Sequence, residues 1–125
     1  AAKAIVARGF KLPTAAGMFG KGVYFAATPL KSWQYSSKRS SKYILVCDVA
    51  LGRPKVLRTA AKSLDLRGLK ARGWWDRLVG RFDCDSVVAL SRSEGGVLNV
   101  AEYVVYRPGQ AVPRFVVEVS ESRGP

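Results

Sequence analysis

Two tyrosines and a serine near the N-terminal end of the chain are spaced so that they could hold a flat ligand. Tyr24 follows a glycine-rich turn, and Tyr35 lies on a later stretch whose sequence predicts a helix. Ser32 precedes Tyr35 by one helical turn, so the two side chains share a face. Two rings flanking a slot favour a stacked, electron-poor heterocycle by roughly 1 kcal/mol beyond area burial, and a nearby hydroxyl can orient its polar substituent. The alternative interpretation is that both tyrosines are ordinary half-buried core residues.

Glu102 is the second candidate, because it interrupts an otherwise apolar, β-branched run over residues 100–106. A carboxylate inside such a strand is costly unless it is paired, hydrogen-bonded or placed at a cleft. Alternation puts Glu102 on the face of Val100 and Val104, opposite Tyr103. An edge strand with Glu102 directed at solvent remains the alternative. Asp48 interrupts another strand in the same way, and we expect it to face the surface.

The residue inventory excludes several mechanisms. The chain contains no histidine, which removes the Ser-His-Asp and Cys-His arrangements and a histidine general base. The turn over residues 17–22 matches neither the dinucleotide-binding glycine motif nor the P-loop. Two cysteines without histidine do not build the usual four-ligand zinc site, so we expect no metal.

Cysteine usage and hydropathy bear on where the protein works. Two cysteines do not form a disulfide framework, which fits a reducing compartment. We therefore expect an intracellular protein, nuclear or cytoplasmic, with an organelle also possible. No apolar run approaches the ~18 residues of a membrane-spanning helix, so we expect no membrane partner.

Charge is the unusual feature of the composition. Lys and Arg total 21 against 9 acidic residues, giving a net charge of +12 and a pI near 10.2. A field of that sign attracts polyanions. Basic and aromatic side chains alternate over residues 58–81, where the candidate nucleic-acid contacts are Arg67, Lys70, Arg72, Trp74 and Trp75. A solvated basic face with its tryptophans packed on the sheet is the alternative for this segment.

The elements that must position these groups belong to one domain, residues 1–125. Strands are predicted at residues 23–26, 43–51, 85–90, 100–106 and 114–119. The strand at 43–51 is nearly continuous in apolar residues, which predicts that it is largely buried. Helices are predicted at residues 4–7, 29–38 and, once or twice, within 58–81, with a break near Gly68 or Gly73. Many strands with few short helices indicate an α+β fold of antiparallel sheets.

Five stretches, taken together and in order, resemble the catalytic domain of the poly(ADP-ribose) polymerase family, tankyrases included. They are residues 17–26 (GMFGKGVYFA), Lys31-Ser32 with Tyr35, residues 49–52 (VALG), residues 85–88 (DSVV) and residues 101–106 (AEYVVY) followed by Gln110. The resemblance extends from residue 5 to about residue 119. Only the basic segment has no counterpart.

The resemblance implies an ADP-ribosyltransferase fold, with two antiparallel β-sheets around a cleft for NAD and one or two short helices. NAD would be the substrate, and ADP-ribose would pass to a protein or nucleic-acid acceptor with release of nicotinamide. Tyr24 and Tyr35 would sandwich the nicotinamide ring, and Ser32 would bind its carboxamide. The resemblance further assigns to the dinucleotide site Lys31, Gly22, Phe25 and Ala26.

The resemblance also gives Glu102 the catalytic role. Its carboxylate would hold the 2′-hydroxyl of the nicotinamide ribose and stabilise the positive charge that develops as the glycosidic bond breaks. Members of the family that elongate ADP-ribose chains have a glutamate at this position. The resemblance therefore permits polymerisation by this chain but does not establish it.

One departure from the family concerns a strand that carries a His-Gly pair and precedes the position of residue 5. Since the chain has no histidine, we expect this strand to lie outside residues 1–125 or to be supplied by another chain. Loss of the strand is the alternative, and it would leave an inactive module that serves as a basic structural or RNA-binding component of a large assembly.

Overall fold

The computed structural model describes residues 2–28 and 41–120. The helices in these ranges are α1 (Ala2–Arg8) and α2 (Gly73–Leu78), and short 3₁₀ turns cover Arg92–Glu94 and Pro108–Gln110. The strands are β1 (Val23–Ala26), β2 (Ser41–Val49), β3 (Pro54–Leu57), β4 (Ser86–Ala89), β5 (Glu102–Val105) and β6 (Ala111–Ser120). Neither helix is long and apolar enough to cross a bilayer.

Four strands form the larger sheet, in the order β1-β5-β4-β3. β1, β5 and β4 pair antiparallel, and β3 runs parallel to β4 at the edge. β5 is therefore hydrogen-bonded on both sides. β4 and β5 are the two interior strands, and Val87, Val104 and Val105 on them are fully buried. Their sequences are apolar because interior strands are covered by neighbouring elements.

The other two strands, β2 and β6, form a long antiparallel ribbon with a bulge between Val46 and Cys47. Apolar side chains remain open to solvent along it: Tyr43 is 59% exposed and Phe115 is 68% exposed. The prediction that this strand is largely buried is therefore wrong. A β-branched run favours a strand wherever it lies, but its burial depends on what packs over it, and β2 pairs only with β6 in the part of the chain that is described.

The core lies on one face of the four-stranded sheet. Val87, Ala89 and Val104 supply the sheet side of it. Phe19 from the glycine-rich turn and Leu69 from the basic segment cover them, each almost fully buried. Two loops that flank the strands are thus held in place by one large apolar side chain each.

Gln110 ties the ribbon to the larger sheet. Its side-chain amide donates hydrogen bonds to the carbonyl oxygens of Ala50 (3.0 Å) and Asp85 (2.8 Å). The hydroxyl of Ser86 adds a bond to the carbonyl of Leu51 (2.7 Å). The end of β2 and the start of β4 are therefore joined by three side-chain bonds.

The α+β class with two sheets and few short helices is confirmed. The structure adds β3 and its parallel pairing to the antiparallel pairs expected from the sequence. Asp48 is exposed, as predicted, and pairs with Arg114 at 2.6 Å. The helix predicted over residues 29–38 lies outside the described residues.

Candidate active site

The glycine-rich turn folds back on itself ahead of β1. Gly17 and Gly20 exchange backbone hydrogen bonds of 3.1 and 3.2 Å around Met18 and Phe19. Gly20 has φ = 86°, and a Cβ there would collide with the carbonyl of Leu64. Only glycine satisfies both conditions without strain, so the turn depends on this residue.

Two tyrosine hydroxyls hold the turn against the sheet. The hydroxyl of Tyr24 donates to the carbonyl of Gly20 (2.6 Å) and accepts the amide proton of Phe19 (3.1 Å). The hydroxyl of Tyr106 donates to the carbonyl of Phe19. A tyrosine on β1 and another just past the end of β5 therefore each contribute a phenol that fixes the backbone of the turn.

Burial changes the acidity of both phenols. For Tyr24, burial raises the pKa, the hydrogen bond from Phe19 lowers it, and the nearby negative charge of Glu102 raises it further. For Tyr106, burial raises the pKa, and Tyr24 adds to the increase. Both hydroxyls thus remain protonated donors throughout the physiological range.

Glu102 begins β5, at the centre of the larger sheet, and is only 9% exposed. This position differs from the edge strand that the sequence left open. Glu102 lies opposite Ala26 on β1 and Ala89 on β4, so the residues on both sides of it are small. Tyr24 lies opposite Val104 on the same face, which makes Tyr24 and Glu102 diagonal neighbours, about 7–8 Å apart in a regular sheet. The electrostatic coupling between the two side chains is consistent with that register.

The structure brings together only some of the residues predicted from the sequence. Tyr24, Ala26 and Glu102 share the core face of the sheet. Phe25 lies on the opposite face by alternation, with its ring edge-on to that of Phe10, 5.5 Å away. Gly22 is buried where a Cβ would collide with Val104, so it permits the close approach of β1 to β5.

The remaining predicted residues of the nicotinamide site are Lys31, Ser32 and Tyr35, and all three lie outside the described residues. In the sequence these residues fall between β1, which ends at Ala26, and β2, which begins at Ser41.

Sequence reasoning missed Tyr106. The signal was present, because Glu102, Val104 and Tyr106 follow a period of two and therefore share a face. A tyrosine at the end of a buried strand also needs a partner for its hydroxyl, and the glycine turn offers the carbonyl of Phe19.

The basic and aromatic candidates lie elsewhere, between β3 and β4. Trp74 and Trp75 on α2 are 73% and 61% exposed, so the alternative in which the tryptophans pack on the sheet is wrong. Lys70 and Arg72 line an open cleft beside α2, and Arg67 is exposed on the turn before Lys70. No cluster of three or more possible metal ligands is found over residues 2–28 and 41–120.

The two-sheet α+β architecture, with a glycine turn that leads into β1 and a buried glutamate on β5, is consistent with the ADP-ribosyltransferase class. Residues 1–121 match the family model described as the poly(ADP-ribose) polymerase catalytic domain. The chain belongs to this family.

Curated relatives agree with this assignment. Over 129 residues the chain is 33% identical to "Poly [ADP-ribose] polymerase 2-A" of Oryza sativa subsp. japonica, a match that covers 86% of this chain and 19% of the relative. It is 30% identical over 127 residues to "Poly [ADP-ribose] polymerase 2" of Homo sapiens, covering 86% and 21%. The Caenorhabditis elegans protein "Poly [ADP-ribose] polymerase 2" is 29% identical over 119 residues, covering 85% and 22%. The chain thus spans about a fifth of the length of these relatives.

Proposed function

We propose that this chain transfers ADP-ribose from NAD to a protein or nucleic-acid acceptor and releases nicotinamide. The observation that carries the proposal is the position of Glu102, a buried carboxylate on the central strand, beside Tyr24 and between two alanines. A buried negative charge is costly for folding, and such groups concentrate at functional sites. Membership of the polymerase catalytic-domain family supports the same proposal.

In the proposed reaction, the bond between ribose C1′ and the nicotinamide nitrogen breaks, and its electron pair leaves with nicotinamide. The pyridinium ring becomes neutral while positive charge develops on the ribose. The carboxylate of Glu102 stabilises that charge, and it does so more strongly in a buried site than in water. A nucleophile of the acceptor then attacks C1′ and loses its proton to the surroundings.

The rest of the donor site is proposed from the resemblance. Tyr24 and Tyr35 flank the nicotinamide ring, and Ser32 binds its carboxamide. A strand with a His-Gly pair, from outside residues 1–125 or from another chain, completes the cleft. What supports this last point is the absence of histidine from the sequence, together with the chain spanning about a fifth of its relatives. The likeness to tankyrases and the capacity to elongate polymer remain part of the proposal.

The test is Glu102→Gln, which removes the charge and keeps the shape. We expect release of nicotinamide from NAD to fall by about 10²-fold or more, because the developing positive charge loses its stabilising partner. Glu118→Gln is the matched control, since Glu118 is an exposed carboxylate on β6. Each variant is assayed as residues 1–125 and as the same chain extended by a strand that carries the His-Gly pair, with circular dichroism to check folding.

Retained nicotinamide release in a folded Glu102→Gln variant would contradict the catalytic role of Glu102. Release that needs the extension would support the completing strand. Absence of NAD binding in both forms would contradict the transferase proposal as a whole.

A second candidate function is an inactive, basic module within an RNA-containing assembly. The observation that favours it is the net charge of +12 together with exposed tryptophans on α2. Salt-sensitive RNA binding by a chain that shows no NAD turnover in the assays above would support it.

A further inference from the structure

α2 presents its apolar side chains to solvent. No residue of this helix is buried, and Leu78 is 68% exposed in addition to the two tryptophans. The indole rings of Trp74 and Trp75 meet edge to face, with centroids 5.6 Å apart and an interplanar angle of 84°. A short amphipathic helix normally turns such rings toward the core, and exposed aromatic clusters mark binding surfaces. The exposed apolar side chains of α2 therefore indicate a surface that binds another molecule.

Beside α2 lies an open cleft of about 440 Å³ whose walls carry mainly positive charge. Its basic residues are Lys55, Lys70, Arg72 and Arg81. Asp76 is the only acidic residue among those lining it. The carboxylate of Asp76 already accepts the backbone amide proton of Arg72 (2.6 Å) and pairs with Arg81 (3.7 Å). Four cations and one carboxylate line the cleft, and the carboxylate of Asp83, which accepts the amide proton of Ala71 (2.8 Å) and interacts with Lys70, lies beside it, so positive charge remains in excess.

Phe82 adds a further aromatic face to this cleft. The guanidinium carbon of Arg53 lies 4.7 Å from the centre of its ring. The ring therefore stacks a planar cation in this structure, and it is still about half exposed. The cleft thus combines cations with the ring of Phe82, and α2, whose Asp76 lines the cleft, carries the two exposed indoles. Such a surface suits a ligand that combines flat rings with negative charges.

The cleft is distant from Glu102. Cys84, which lines the cleft, bonds through its amide to the carbonyl of Leu69 and precedes β4 at the Ser86 end. Glu102 pairs with Ala89 at the other end of β4. Three residue steps of ~3.3 Å place at least about 10 Å between the two ends. The cleft and Glu102 therefore lie toward opposite ends of β4.

We propose that this cleft and the exposed face of α2 bind single-stranded nucleic acid. Phosphates contact Lys55, Lys70 and Arg72, and unpaired bases stack on Trp74 and Trp75. Stacking requires bases that are free of a duplex. A bilayer surface is flat and does not enter a concave cationic cleft, while an acidic peptide would leave the indoles without stacking partners. The inference does not depend on ADP-ribosyl transfer, and it supplies a site for the second candidate function.

The experiment titrates the chain into a fluorescein-labelled single-stranded 12-mer of uridine at several salt concentrations. We expect saturable binding with quenching of tryptophan emission. The logarithm of the affinity should fall with the logarithm of salt concentration with a slope of about −2 to −3, as for three or four neutralised phosphates.

Two variant pairs separate the contributions of stacking and of charge. Trp74→Ala/Trp75→Ala should weaken binding by about tenfold or more, and its control is Phe115→Ala, an equally exposed ring on β6. Lys70→Gln/Arg72→Gln should weaken binding and reduce the slope by roughly 0.7 for each charge removed. Its control is Arg8→Gln/Lys11→Gln, which removes the same charge at the other end of the described chain.

Equal losses in the variants and their controls would overturn the proposal, because they would indicate a diffuse charge effect. Tighter binding to the matching duplex, to vesicles of anionic phospholipid or to a polyglutamate peptide would overturn it as well. Nicotinamide release measured on the same variants keeps this outcome separate from that of the transferase proposal, because none of these residues lies in the proposed NAD site.

Discussion

At the scale of single residues, Tyr106 and Glu102 illustrate two uses of one strand face. Glu102 places a charge at one end of β5, and Tyr106, just past its other end, anchors the turn that carries Phe19. A carboxylate within an apolar run indicates a special role, because its burial is costly. A tyrosine in such a run carries no comparable signal, because tyrosine is common in strands. The role of Tyr106 depends on a carbonyl that is 87 positions away in the chain, and no local pattern contains that information.

Tyr106→Phe tests this anchor. Removing the hydroxyl leaves the buried carbonyl of Phe19 without its donor, which should lower the free energy of unfolding by about 1–3 kcal/mol. Urea denaturation at pH 8 measures the change. Tyr43→Phe is the control, because Tyr43 is exposed on the ribbon, and it should change the stability little.

The same variant has a pH signature. Burial raises the pKa of Tyr106, so the folded chain keeps a proton that the unfolded chain loses near pH 10. The resulting stabilisation is complete below about pH 10 and is lost as the pH rises toward the folded-state pKa. Tyr106→Phe should therefore lose less stability between pH 9 and pH 11 than the parent chain does. Identical pH profiles would show that the phenol does not contribute in this way.

At the scale of elements, the glycine turn is the part of the site most sensitive to backbone change. Gly20→Ala would place a side chain at φ = 86° and against the carbonyl of Leu64. The conformation alone costs about 1–3 kcal/mol, and displacement of Phe19 from the core adds to it. Gly109→Ala is the control, since a Cβ there meets open space and its φ is not positive.

Thermal unfolding of the two glycine variants should show a clearly lower midpoint for Gly20→Ala and little change for Gly109→Ala. Comparable midpoints for both variants would contradict a strained, tightly packed turn at Gly20.

The sequence predicted the elements whose signals are local. β1, β4 and β5 are apolar runs bounded by glycine or turn residues, and each lies within one or two residues of its predicted limits. β3 escaped prediction because four residues that begin with proline, Pro54–Leu57, carry little strand signal. Its parallel pairing with β4 depends on contacts that are remote in sequence.

The exposure of side chains was the least predictable property. The apolar run of β2 and the tryptophans of α2 both suggest burial, yet the structure leaves many of them open to solvent. Hydrophobicity reports what a side chain gains from burial, and only the assembled fold determines which side chains obtain it. At the site, the alternation around Glu102 predicted its face correctly, and the buried central position came from the pairing with β1 and β4.

At the scale of the whole molecule, the charge of +12 opposes the compact state. Described ion pairs such as Arg77 with Asp83 and Asp48 with Arg114 involve exposed side chains and add little. Screening of the repulsion should therefore raise stability.

We expect the thermal unfolding midpoint to increase when the sodium chloride concentration is raised from about 0.02 M to about 0.3 M, because the shorter Debye length weakens the repulsion between the positive charges. Sucrose at matched osmolality is the control for general solvent effects. A midpoint that falls with salt would mean that exposed ion pairs outweigh the repulsion.

The central position of β5 also has a consequence for motion. Backbone amides in a strand that is bonded on both sides and covered by the core exchange with solvent only when the sheet opens as a unit. The ribbon of β2 and β6, exposed along much of its length, should open at a lower free energy and exchange sooner. Glu102 begins a strand that should open less often than the ribbon, so its carboxylate should keep its position when the ribbon opens.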